Sequence, residues 1–317
     1  MNQILPPAVL LAAIASQSER HVAPTISLLT ANLRTHFGDT LLAVVLYGSC
    51  MRAEEYIEGV VDLYVIVNSY KGAYPERMLR YLNSRLPPNV FYLEVGPAES
   101  RIRAKYAVIS ADDLDRGCSL WFHSYIWSRF AQPVRLLYVR GPAIQQHLYA
   151  GFARAVLTFL KTTLPTLGPV TVDTATIWNN GLGLTYAAEL RPERHTRARE
   201  ITGQNLEDFS MLTECAAPAL SDYFRQISPD QYQCLADASS RKQALRLWHI
   251  RRWQGLVLSV LRLTKAALTF RDSLDYAAWK IQRHTGIRIE ITPGLRRHPV
   301  LFGFSVLWQL VKRDVLH

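Results

Sequence analysis

One strand–turn–strand segment constrains this chain more than any other part of its sequence. An apolar run at 41–47 ends in Tyr47-Gly48-Ser49, and Asp62 follows Ser49 by thirteen residues, inside a second apolar run at 60–67. Both runs predict buried strands. A glycine turn lets backbone N–H groups approach a phosphate, and a carboxylate in an apolar strand needs compensation, for which a divalent cation is suited. The segment therefore predicts a phosphate-binding turn beside a metal-binding acid.

This spacing resembles that of the DNA polymerase β-like nucleotidyltransferases. The plainer alternative is a common Gly-Ser turn with a strand-end aspartate that caps it. That superfamily usually has a second acid two residues after the first, where this chain has Tyr64.

Glu94, in an apolar run, is the candidate second carboxylate of the metal site, because an unpaired charge there would be costly. Its alternative is an ion pair with Arg101 or Arg103.

The composition predicts a globular chain of two domains, or of one domain with an added module. It has 317 residues, of which 49% are hydrophobic and 20% charged. Its four cysteines form no CxxC pair, which argues against a zinc site or a disulfide framework. Residues 8–15 are apolar, but no Lys or Arg precedes them, so we expect an N-terminal helix rather than a secretory signal.

The pattern of elements predicts an α+β fold in three parts. Residues 1–142 would form a nucleotidyltransferase-type mixed sheet flanked by helices, residues 143–240 a mainly helical, winged-helix-like domain, and residues 241–317 a basic helical region. A loop is expected at 179–183. The expected strands are 41–47, 61–67, 90–95, 101–110 and 134–139, and the expected helices of the first part are 20–36, 75–86 and 111–130, the last capped by Ser110.

The positive charge is confined to the C-terminal part of the chain. Residues 241–317 contain fifteen Lys and Arg against four Asp and Glu, and the whole chain carries a net charge of +10. Such a block predicts an anionic polymer or an anionic membrane surface as partner.

Two segments of this basic region are candidates for membrane contact. On a helical wheel, 250–265 separates an apolar side from a basic one, and 300–311 combines aromatic residues with basic flanks. Both segments predict interfacial helices, with packing on their own domain as the alternative. No apolar run is long enough to span a bilayer.

Read in order, several segments resemble the mitochondrial-type phosphatidate cytidylyltransferases, the translocator assembly and maintenance family. The family lacks an acid two residues after the first Asp, so Tyr64 is a match. The segments that carry the resemblance, besides Tyr47-Gly48-Ser49 and Asp62, are 101–110, 125–134, 183–191 and 265–280. Residues 286–317 have no counterpart.

The resemblance implies that CTP and phosphatidate react to CDP-diacylglycerol and pyrophosphate, with Mg²⁺ as cofactor. It also implies a peripheral enzyme on the inner, cytoplasmic face of an anionic membrane, with no nucleic-acid partner. In this reading Lys105 and Arg129 neutralise phosphate charge; the alternative for each is a solvated surface charge. The implied site residues are Tyr47, Gly48 and Ser49 for the nucleotide, Asp62, Lys105 and Arg129 for catalysis, and Asp62 with Glu94 for the metal.

Two other classes of function remain open from the residues alone. One is a nucleotidyltransferase whose acceptor is a nucleic acid or a small soluble molecule, with the basic region binding the polymer. The other is a catalytically inactive fold that serves as a membrane or protein adaptor, which the single clear carboxylate permits.

Overall fold

A five-stranded mixed sheet forms the centre of the first part of the chain. The structure, a computed structural model, describes residues 4–52, 59–97, 101–189 and 194–269. The sheet order is β3-β4-β2-β1-β5, with β2 and β4 parallel and the other pairs antiparallel. The strands are β1 (Leu41–Tyr47), β2 (Val60–Val67), β3 (Asn89–Val95), β4 (Ile102–Ser110) and β5 (Arg135–Val139). The predicted α+β class with a mixed sheet is confirmed.

Helices cover both faces of this sheet. They are α1 (Ala8–Ser18), α2 (Ile26–Phe37), α3 (Tyr70–Ala73), α4 (Arg77–Arg85), α5 (Ala111–Ser119), α6 (Trp127–Phe130) and α7 (Pro142–Thr163). One face packs against α2 and α4, and the other against α1, α5, α6 and the first helix of the next part, α7. Alternate residues of β2 therefore enter different cores: Leu63 and Val65 belong to the core with α2, whereas Tyr64 and Ile66 belong to the core with α6 and α7.

The single helix predicted over 111–130 is wrong, because the chain turns back after α5. The predicted start is right: the Ser110 hydroxyl accepts a hydrogen bond from the Asp113 amide at 3.2 Å. The return places Ile126 against Gly117, where a Cβ on the glycine would lie 2.7 Å from the isoleucine side chain. Burial of Ile126 and Trp127 thus overrides local helix propensity in 120–126.

The second part of the chain is mainly helical and carries a small antiparallel sheet. Its elements are β6 (Thr171–Val172), α8 (Thr174–Ala187), α9 (Arg194–Gln204), α10 (Leu206–Ala216), β7 (Phe224–Ser228) and β8 (Gln231–Cys234). The short strand β6 pairs with the last strand of the β7–β8 hairpin, so that the sheet has the order β6-β8-β7. The winged-helix-like character of this part stays a prediction. One hydrophobic core continues across residue 142 and joins this part to the large sheet.

The loop predicted at 179–183 is also wrong, since these residues lie inside α8. Gly181 marks a close approach of α8 to α7: a Cβ there would lie 2.4 Å from the ring of Phe159. That ring stacks on Trp178 at 4.5 Å between centroids, and Trp178 stacks on Phe209 of α10 at 3.9 Å. The glycine therefore permits helix packing rather than a turn.

The long helix α11 (Ala238–Thr269) packs through its basic side. Arg251 and Lys265 are each 5% exposed, whereas Trp253 is 62% and Val257 57% exposed. The basic side chains donate to carbonyls in the first part of the chain: Arg251 to that of Phe122, and Lys265 to those of Leu86 and Pro88. The apolar side of α11 therefore points away from the described core.

No helix among the described residues is long and apolar enough to cross a membrane. The predicted helix at 300–311 lies outside the described residues.

Candidate active site

The Gly48 turn and the Asp62 carboxylate lie against each other where β1 ends and β2 begins. The two strands are antiparallel neighbours, and Tyr47 is the register partner of Asp62. Gly48 has φ +84°, and a Cβ there would come within 3.5 Å of the Asp62 Oδ2 atom. A glycine at this position can adopt the left-handed backbone conformation, and its lack of a side chain leaves room for the Asp62 carboxylate. Ser49, exposed, follows directly. The structure brings these predicted residues together.

Lys105 joins the same site from the strand on the other side of β2. Parallel pairing of β2 with β4 makes Lys105 the register partner of Asp62, and its Nζ lies 3.2 Å from the Asp62 Oδ1 atom. The two side chains are 39% and 35% exposed, so both remain accessible from solvent. The predicted cation and carboxylate are thus adjacent.

Two tyrosines form the wall of the site behind Asp62. Tyr64 lies two residues along β2 on the same face, with its ring centroid 5.1 Å from that of Tyr47 and 4.8 Å from that of Phe130. Burial raises the pKa of both phenols, and the Asp62 charge raises that of Tyr47 further. Both are therefore neutral near pH 7. Tyr64, which occupies the position of the superfamily's usual second acid, is thus a neutral side chain.

Arg129 lies beside this wall but already has an anionic partner. Its guanidinium donates two hydrogen bonds to the Glu189 carboxylate, at 2.8 and 2.9 Å, and the two side chains are 10% and 11% exposed. It also stacks on the ring of Tyr125 at 3.8 Å. Burial alone would lower the pKa of Arg129, but Glu189 raises it above its ordinary value. The ion pair connects α6 to the segment directly after α8. The predicted role of Arg129 in binding phosphate stays a prediction.

Glu94 is not brought to Asp62. It lies on β3 at the edge of the sheet, with β4 between it and β2, so that about 10 Å separate the two strands. Its carboxylate accepts from Arg101 at 2.9 Å and Arg103 at 3.2 Å. Partial burial acts to raise its pKa, but a hydrogen bond from Tyr92 and the two arginines lower it below the usual value. The ion-pair alternative describes this geometry, and the ligand role has no support from it.

Arg262 and His123 also lie near the wall and were not among the predicted site residues. Arg262 reaches from α11 to lie over the ring of Tyr125 at 3.8 Å. Burial lowers the pKa of His123 to about 4, with Arg262, Arg129 and Arg251 acting in the same direction. The helical wheel placed Arg262 on the basic side of the helix, without saying whether that side faces the protein. Only the packing of α11 reveals its location, because periodicity does not say which side of a helix meets the protein.

A magnesium ion fits the oxygen donors of this site. The described part of the chain contains no cluster of three or more His, Cys, Asp or Glu suited to a metal. Mg²⁺, however, is commonly bound by one or two carboxylates with phosphate oxygens and water completing its shell. The half-exposed Asp62 carboxylate beside a glycine turn meets that requirement.

Comparison with known protein families gives no match for this chain, and comparison with curated proteins gives none either. The geometry around Asp62 therefore has to carry the functional argument.

Proposed function

We propose that this protein makes CDP-diacylglycerol and pyrophosphate from CTP and phosphatidate at a membrane surface. The observation that carries the proposal is the placement of Asp62 between the Gly48 turn and Lys105. A carboxylate, an ammonium group and a phosphate-sized turn on three adjacent strands form a suitable set for nucleotidyl transfer. The sequence resemblance to the mitochondrial-type phosphatidate cytidylyltransferases supplies the acceptor and the base.

In this proposal the described residues hold the triphosphate and neutralise its charge. The amides of the Gly48 turn and the Ser49 hydroxyl bind the β- and γ-phosphates, and Lys105 pairs with a phosphate oxygen. Asp62 would hold Mg²⁺, which when bound neutralises charge on the triphosphate. The neutral phenols of Tyr47 and Tyr64 add no negative charge to the site.

The reaction itself requires positioning more than acid–base help. A phosphate oxygen of phosphatidate attacks the α-phosphorus of CTP, the bond to the β-phosphate bridging oxygen breaks, and pyrophosphate leaves in line. The attacking oxygen is already anionic near neutral pH, so no side chain has to remove a proton. Orientation and charge neutralisation supply most of the rate enhancement in such transfers.

The outward apolar side of α11 supports membrane contact, and the sequence resemblance supplies the inner, cytoplasmic face. Ile250, Trp253 and Val257 are each more than half exposed, and the helix belongs to the basic region of the chain. Arg246 and Arg252 of the same helix are exposed too, and an exposed apolar stripe beside such residues suits an anionic bilayer surface.

The test is to incubate the purified full chain with each NTP, Mg²⁺ and phosphatidate vesicles, and to identify the lipid product by mass spectrometry. We expect CDP-diacylglycerol from CTP alone, with one pyrophosphate released per lipid. Parallel reactions contain RNA, DNA or soluble phosphomonoesters in place of vesicles. Transfer to one of those acceptors, or no binding of CTP with Mg²⁺, would replace this proposal by the nucleic-acid, soluble-acceptor or adaptor function.

A further inference from the structure

A cavity of about 640 Å³ lies between α7, α11 and the segment that follows α5. Asp62, Lys105 and Gly48 do not line it. Its size falls within the range of about 300–1,000 Å³ that is usual for small-molecule sites. Most of its wall is apolar, contributed by Leu120, Trp121, Phe122, Leu157, Leu247 and Trp248.

Arg251 brings a buried positive charge to this apolar wall. Its Nε atom donates to the Phe122 carbonyl at 2.6 Å, and its guanidinium lies 4.3 Å from the Phe122 ring and 4.5 Å from the Trp248 ring. Its Nη1 atom is buried without a hydrogen-bond partner. Among the described residues no carboxylate forms an ion pair with it. A buried charge in this state is unfavourable unless an anion joins it.

The remaining charged groups of the cavity are also cations. Lys161 lies 6.0 Å from the ring of Tyr223, and Arg154 is paired with Asp115 at 2.7 Å. No Asp or Glu is among the described side chains that line the cavity. Burial lowers the pKa of Arg251 to about 10, so the guanidinium remains charged near neutral pH. The cavity thus has a largely apolar wall and a positive charge at Arg251.

We propose that this cavity binds a single-chain amphiphile with an anionic head, whose carboxylate or phosphate pairs with Arg251 while its aliphatic chain lies against the tryptophan and leucine walls. A free fatty acid and a phosphate-headed single-chain lipid share this chemistry. The inference does not depend on the proposed cytidylyltransferase activity, since none of the residues around Asp62 takes part.

The test is calorimetric titration of the full chain with laurate and dodecyl phosphate below their micelle concentrations, and with the uncharged methyl laurate below its solubility limit. We expect one molecule bound per chain, and at least about 10-fold weaker binding of methyl laurate, because it lacks the charge-assisted hydrogen bond. The preferred head group distinguishes the two sources of ligand. Arg251→Gln should weaken laurate binding by at least about 10-fold, for the same reason.

Three more variants keep the result interpretable. Ala244→Trp fills the cavity while leaving Arg251 in the sequence and should abolish binding, so it tests the site even if Arg251→Gln does not fold. Arg252→Gln, an exposed neighbour on the same helix, and Asp62→Asn should both bind laurate like the wild type. Equal binding of laurate by the wild type and Ala244→Trp, or equal affinity for laurate and methyl laurate, would overturn the proposal.

Discussion

Asp62 is the residue on which the proposed chemistry depends most directly. Its carboxylate lies next to a glycine turn and 3.2 Å from the Lys105 ammonium, on a strand that is otherwise buried. The described residues bring no second carboxylate to this position. A single charge therefore carries the metal-binding function in the proposal, and its removal should have a large effect.

Asp62→Asn should lower formation of CDP-diacylglycerol by orders of magnitude, because the amide keeps the shape of the side chain and loses the charge that Mg²⁺ needs. The measurement is the initial rate on phosphatidate vesicles, with thermal melting to confirm folding. Glu94→Gln is the matched control and should retain most activity, since Glu94 lies two strands away in an ion pair with Arg101 and Arg103. More than about a tenth of wild-type activity in Asp62→Asn would remove Asp62 from the site.

Ser49→Ala and Lys105→Ala should both weaken the use of CTP, the second more severely. A neutral hydroxyl contributes one hydrogen bond, on the order of 1 kcal/mol, whereas a cation on a phosphate forms a charge-assisted one. Titration with CTP and Mg²⁺ measures the affinity of each variant. Unchanged affinity in both would mean that the nucleotide binds elsewhere.

At the scale of elements, a buried ion pair joins α6 to the segment directly after α8. Arg129 of α6 and Glu189 at the end of α8 pair with both partners about 90% buried. Removing one partner of such a pair leaves the other charge buried and uncompensated. The pair is therefore a candidate for a stability test that is separate from catalysis.

Arg129→Gln should lower the free energy of unfolding by roughly 3–5 kcal/mol, and the double change with Glu189→Gln should cost less than the two single changes together. Urea unfolding measures all three variants. The control is Arg197→Gln, in the exposed pair with Glu200, which should cost no more than about 1 kcal/mol. A small decrease in the free energy of unfolding of Arg129→Gln would mean that the ion pair contributes little to the packing of α6 against α8.

Lys265 should make the stability of the protein depend on pH. Burial, with a smaller effect of Arg262, lowers its pKa from 10.5 to about 7, so between these values the unfolded chain binds a proton that the folded chain does not. Its contribution to stability therefore rises from about pH 7 to about pH 10 and is constant below. Lys265→Met should flatten this part of the urea-unfolding profile. The exposed Lys242→Met should leave the slope unchanged, and an unchanged slope in Lys265→Met would contradict the assignment.

At the scale of the whole molecule, the proposed function requires that the site around Asp62 comes close to a lipid head group. The described part of α11 turns its basic side to the protein and its apolar side outward. Residues beyond 269 continue the basic region in sequence. Both features favour attachment from the C-terminal end of the chain.

Removal of residues 296–317 should release the protein from anionic vesicles and slow the reaction on membrane-embedded phosphatidate. Each Lys or Arg near an anionic surface contributes about 1 kcal/mol, and the segment carries four, beside Phe302, Phe304 and Trp308. A short, soluble phosphatidate should react almost as before, because the change affects access rather than chemistry. Equal sedimentation of the truncated and full-length proteins at low salt would assign attachment elsewhere, and Trp253→Glu on α11 then tests the helix itself.

Local sequence patterns by themselves determined the strands and the position of Asp62 in one of them. Apolar runs predicted β1, β2, β4 and β5 nearly to the residue, because a buried strand has to consist largely of apolar residues. Proximity of Gly48 and Asp62 followed too, since a short connection joins two antiparallel neighbours.

Only the tertiary structure decided which distant residues share the site. Lys105 meets Asp62 and Glu94 does not, because strand order places β4 beside β2 and β3 beyond it. The side of α11 that faces the protein was likewise undetermined, since a helical wheel separates two faces without saying which one is covered. Carbonyls of Phe122, Leu86 and Pro88 accept from its cations, so the basic side packs inward. Partners far apart in sequence leave no periodic signal, and their contacts exist only once the chain is folded.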